Sequence, residues 1–145
     1  MTQPDPNASF ADVEMLTAAL GHVFAPWVRE LDLRVLEARA GEVTLALPIT
    51  SRHVTDAGLL CSQTMMAACD TALVLAVMTQ LGGFKPMSTV QLQTSFLRPI
   101  SGGGGAARVV ARVLGRSRTL VFGEMQVISA DDELAALATA TCTLQ

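Results

Sequence analysis

Between Asp56 and Lys85 a single formally charged side chain, Asp70, stands in the middle of the apolar run LLCSQTMMAACDTALVLAVMTQL, residues 59–81. A run of that length without Pro or Gly predicts one long helix, apolar on nearly all faces, around which the rest of the chain must fold. It is long enough to span a bilayer, but the central Asp and the scattered Ser, Gln and Thr favour a buried core helix, and no membrane role is expected. An unpaired buried carboxylate costs several kcal/mol or takes up a proton, so Asp70 needs a partner or a purpose. It is the first candidate for chemistry.

At 145 residues the chain has the length of one domain. We assign residues 1–8 to a flexible head and 9–145 to a single domain. Half the residues are hydrophobic and a sixth are charged. Such a composition in a small domain points to burial of apolar surface between subunits, as a homodimer or a dimer of dimers. The net charge of −3, the lack of a Lys/Arg cluster, the single Trp27 and the absence of Tyr exclude a nucleic-acid partner. Cys61, Cys69 and Cys142 are an odd number without zinc-site or redox spacing and read as reduced residues of a cytoplasmic protein. The opening MTQPDPNASFADVE has no secretory pattern.

Along the chain, Ser9 suits an N-cap for an amphipathic helix reaching about Phe24, which Pro26 helps to end. LDLRVLEA and GEVTLALPI read as an antiparallel hairpin around Arg39–Gly41. Gly82, Gly83 and Pro86 stop the long helix. STVQLQTSFLRPI then alternates Val90, Leu92 and Thr94 against Gln91, Gln93 and Ser95, a third strand. SGGGG at 101–105 is a turn and not a phosphate loop, because no Lys-Ser/Thr helix follows. AARVVARVLGRS, RTLVFGEMQVIS and ELAALATATCTLQ supply three more strands, the last marked by Thr139, Thr141 and Thr143. The order predicts an α+β fold in which an antiparallel sheet wraps one buried helix.

His22 lies near the end of the first helix and His53 in the loop before the long one. They are too far apart, and too poorly spaced, to suggest a metal site. Arg116, Ser117 and Arg118 make a polar turn between strands, with guanidinium groups suited to phosphate. Arg98 and Lys85 are weaker candidates of the same kind. Met65, Met66, Leu73 and Phe84 could line an apolar pocket.

The stretch GLLCSQTMMAACDTALVLAV, followed by TSFLRP, resembles the phenylacetate-degradation (PaaI-like) thioesterases of hotdog fold, over roughly residues 30–144. In that family Gly-x-x-His-Gly-Gly opens the central helix and an Asp follows the His by nine residues. Gly58 matches the first Gly, Cys61 stands in place of the His, Ser62 and Gln63 replace the glycines, and Asp70 falls on the catalytic acid. Thr55 occupies the position of a frequent Asn. The resemblance implies hydrolysis of an acyl-CoA thioester, with CoA entering only as part of the substrate and no other cofactor. Backbone N–H groups of Ser62 and Gln63 would polarise the carbonyl, and Asp70 would act as general base or nucleophile. A Ser or Thr early in the next strand would position water. Counting forward from Asp70 gives Ser88, and counting back from Phe96–Pro99 gives Thr89. An unbroken strand register to Pro99 favours Thr89. The resemblance also implies that Arg116, Ser117 and Arg118 bind CoA phosphates.

Ser62 and Asp70 are eight residues apart, ~12 Å along one helix, so both cannot meet one reacting centre in one chain. Catalysis therefore implies sites shared across a dimer. Two other readings stay open: a hydratase or dehydratase, disfavoured by Cys61 in place of His, and a non-catalytic acyl-CoA binding module.

Overall fold

In a computed structural model the long helix runs from Ser62 to Leu81 (α3), ending at Gly82, whose N–H reaches Met78 O. The structure describes residues 8–103 and 105–145, with side chains from residue 13 onward. Before α3 come α1 (Ala8–Leu20), α2 (Pro26–Arg29), β1 (Arg34–Arg39) and β2 (Glu42–Pro48). After it come β3 (Met87–Phe96), β4 (Ala106–Arg116), β5 (Leu120–Ile128) and β6 (Leu134–Leu144). The six strands form one antiparallel sheet in the order β1-β2-β4-β5-β6-β3, which wraps α3 as the hotdog fold does.

Alternation explains which face of the sheet meets the helix. Val43, Leu45 and Leu47 on β2, Ala107, Val109 and Ala111 on β4, and Val121, Met125 and Val127 on β5 are all buried. Ala136, Ala138, Ala140 and Cys142 continue that face on β6. Leu73 packs directly over Gly123 on β5, where an added Cβ would stand 2.2 Å from Leu73 Cδ1. α3 has the length and composition of a membrane span, yet 67% of its most apolar window is packed inside the protein.

Several local expectations are corrected. α1 ends at Leu20 rather than about Phe24, and Ser9 lies inside it rather than before it. The head expected over residues 1–8 lies outside the described residues except for Ala8, which belongs to α1. Pro26 does not close the first helix but opens α2, at a position where its missing N–H is harmless. The third strand stops at Phe96, and its register is not unbroken. Thr89 pairs with Cys142 and Gln91 with Thr141, leaving Val90 as the extra residue of a β-bulge, 62% exposed. β1 has the same defect at Leu36, between the pairs Val35–Leu45 and Glu37–Thr44.

Candidate active site

The bulge decides what Asp70 meets. In a regular strand Val90 and Ser88 would share the inner face with Leu92. The extra residue reverses the alternation and brings Thr89 inward. Its hydroxyl donates to Asp70 Oδ1 at 2.6 Å, tying the middle of α3 to the start of β3. Thr89 is thus the residue that contacts Asp70, although the unbroken register that favoured it does not exist. Ser88 lies beside it, accepting at Oγ from Gln145 Nε2 at 3.4 Å.

Asp70 and Thr89 open onto a cleft of about 730 Å³, within the range of small-molecule sites. Gln63, Met66, Ala67, Asp70 and Val74 all line it, following one face of α3. Met87, Ser88, Thr89 and Leu92 form the β3 side. Of the expected pocket residues, Met66 and Phe84 are present; Met65 lines a separate groove, and Leu73 is buried over Gly123. Phe24, Trp27 and Val28 also line the cleft, a contribution from α2 and the chain leading into it.

Two thiols flank the carboxylate from the core side. Burial pushes Cys69 up to about 12, with the Asp70 charge adding to it. Cys142, with Sγ 3.9 Å from Thr89 Oγ1, is raised by burial and by Asp70, while its contact with Thr89 opposes the shift. Both stay protonated at neutral pH, so neither puts a second negative charge beside Asp70.

At the start of α3, Cys61 is the N-cap, and its Sγ lies 2.9 Å from Thr64 Oγ1 without capping the backbone. Among the described residues, the N–H groups of Ser62, Gln63 and Thr64 find no acceptor. They form a positive pole free to take a developing oxyanion. Gly58, at φ +79°, closes the turn by donating to Thr55 O at 2.8 Å, and Cys61 N donates to His53 O. Thr55, Gly58 and Cys61 therefore shape the approach to the helix and do not line the Asp70 cleft. Ser62 instead borders a shallow groove with Leu59, Phe96 and Arg98, and Arg98 pairs with Glu133 at 3.6 Å. Gln63 is the one member of the helix start that reaches the cleft. His22 lies beyond the end of α1, exposed, and His53 sits in a 3₁₀ turn, Ser51–His53.

The turn after β4 belongs to the same end of the sheet as Thr89. Thr89 pairs with Cys142, Cys142 with Val121, and Val121 with Arg116, one row across four strands. Three strand spacings separate Arg116 from Thr89, ~14 Å. Ser117 Oγ accepts from Leu120 N at 3.0 Å, so this hydroxyl holds the turn, while Arg116 and Arg118 are exposed. Among the described residues no three His, Cys, Asp or Glu side chains gather as metal ligands.

The family model of the thioesterase superfamily matches residues 64–136, half of the chain and the part that holds both Asp70 and Thr89. The chain belongs to the thioesterase superfamily. Thioester hydrolysis is the general reaction this membership supports. The fold is similar to that of the Escherichia coli PaaI protein from the phenylacetic acid degradation operon (TM-score 0.82, 14% identity, 95% of this chain and 96% of that one). Zebra fish thioesterase superfamily member 2 is also similar (TM-score 0.79, 21% identity, 92% and 95% covered). So is a thioesterase of Haemophilus influenzae (TM-score 0.79, 16% identity, 90% of each chain). No curated protein sequence matches the chain.

Proposed function

We propose that the protein hydrolyses an acyl-CoA thioester to the free acid and CoA, at sites shared between two subunits. The Thr89–Asp70 hydrogen bond on the wall of the cleft carries this reading. With Oδ1 held by Thr89, Asp70 Oδ2 is free to take a proton from water as the water oxygen attacks the carbonyl carbon. The carbonyl π electrons move onto oxygen and are received by helix-start N–H groups. Collapse of this oxyanion breaks the C–S bond, and the thiolate of CoA leaves with the proton held by Asp70 or one from solvent. Direct attack by Asp70 would instead form a mixed anhydride with loss of the CoA thiolate, and water opening that anhydride at the Asp70 carbonyl would place solvent ¹⁸O in the carboxylate of Asp70.

One chain does not supply both halves, because the N–H groups of Ser62, Gln63 and Thr64 lie ~9 to ~12 Å from Asp70 along α3. The edge of β3 supports the dimer. Its ten residues carry no charge and no Pro, and among the described residues its outer edge presents an unpaired row of backbone groups. Pairing of two β3 edges would extend the sheet through both subunits. The exposed guanidinium groups of Arg116 and Arg118 would bind phosphates at the far end of CoA.

The test is an assay of short, medium, long-chain and aryl acyl-CoAs with wild type and Asp70→Asn. We expect kcat to fall by ~10³-fold with the fold retained. Equal rates for both proteins on every substrate would sink the assignment. Thermal stabilisation by acyl-CoA without thiol release would favour a binding module instead.

A further inference from the structure

We infer that Trp27 and Phe84 select the acyl group, gripping an apolar, uncharged chain at the cleft that holds Asp70. This rests on the proposed acyl-CoA reaction. The two residues come from separate segments, Trp27 from α2 and Phe84 from the connection between α3 and β3, yet they line one cleft with Asp70 and Thr89. Trp27 is 58% exposed and Phe84 47%. Large aromatic surfaces left in water beside an open cleft gain most when a ligand covers them.

α2 holds Trp27 in place despite its length of four residues. Pro26 fixes its first position, Glu30 N returns to Pro26 O, and Arg29 Nη1 reaches back to Gly21 O at 3.2 Å. Leu31, 1% exposed, anchors the segment that follows. The aromatic wall is therefore set before ligand arrives, which lowers the cost of binding.

Charge narrows the acyl class. Among the described residues, Asp70 is the only ionisable side chain lining the cleft; its other polar members are Gln63, Thr71, Ser88 and Thr89. A second carboxylate on the acyl chain would meet no cation on this subunit's wall of the cleft and would be repelled by Asp70. Phe24, Val28, Met66 and Val74 offer it only apolar contact.

Trp27 is the only Trp, so its emission reports directly on this site. The probes are S-octyl-CoA, a thioether that cannot be hydrolysed, its ω-carboxyl analogue of equal chain length, and CoA itself. We expect S-octyl-CoA to give a saturable blue shift, CoA to give none, and the ω-carboxyl analogue to bind about tenfold more weakly or less. In kinetics, Phe84→Ala and Trp27→Leu should raise KM for octanoyl-CoA about tenfold more than KM for acetyl-CoA, with kcat less affected. A shift caused by CoA alone, equal losses on both substrates, or emission that follows protein concentration instead of probe would overturn the inference. If S-octyl-CoA shifts the emission while no thioester is hydrolysed, the aromatic site stands and the hydrolytic reading fails. If hydrolysis proceeds and Trp27 stays silent, the reverse holds.

Discussion

The sheet has two edges, β1 and β3, and each contains one bulged, exposed aliphatic residue: Leu36 at 51% and Val90 at 62%. Their surroundings differ. β1 is six residues long, carries Arg34, Glu37 and Arg39, and has α1 packed against it. Arg39 also pairs with Glu42 at the hairpin. Charge, short length and a covering helix all discourage another strand from adding on. β3 is ten residues long and uncharged, no described helix before α3 packs extensively on it, and it holds Thr89 against Asp70. The same backbone irregularity thus sits in a blunted edge on one side and in an open, chemically equipped edge on the other.

The largest effect should come from the inward face of β3. Thr89→Val removes the hydrogen bond to Asp70 and should lower kcat/KM about 10²-fold, while Ser88→Ala should cost only a few-fold. A larger loss for Ser88→Ala would mean that the ladder is regular in solution and that Val90 is not the extra residue. Next comes the outer edge. Val90→Glu places like charges where two β3 edges would meet and should weaken self-association about tenfold, read by analytical ultracentrifugation. Leu36→Glu should leave assembly unchanged, and matching effects at the two positions would erase the distinction between the edges. The smallest effect concerns Thr94 on β3, whose Oγ1 is the buried side-chain oxygen without a partner among the described residues. Thr94→Val should stabilise the fold by about 1 kcal/mol in chemical denaturation, since it removes a desolvated hydroxyl of similar shape.

The main elements were legible because their periods are strong. The long apolar run gives α3, and alternation gives all six strands, including the alanine-rich β6 that its threonines mark. Asp70 was legible because a lone charge in such a run is anomalous. Spatial order was not: nothing in the period of β3 shows that it pairs with β6 and ends the sheet. Alternation also misplaces Val90, since a bulge leaves no periodic trace and reverses every facing residue before it. α2 is too short to show a helical period, which hid Trp27, Val28 and the approach from Phe24. The signals available were a Pro just ahead of the chain's single Trp and the apolar run VFAPWV, residues 23–28, that contains both.

Gly123 touches neither edge and does not line the Asp70 cleft. Because a Cβ there would strike Leu73, it works as a spacer of zero thickness between sheet and helix. Leu73 lies one helical turn beyond Asp70, so any shim inserted at Gly123 tilts or lifts the rod that carries the carboxylate. A hydrogen bond of 2.6 Å tolerates little of that travel. The working clearance of the site is therefore set on a central strand, by a residue whose contribution is the absence of a side chain.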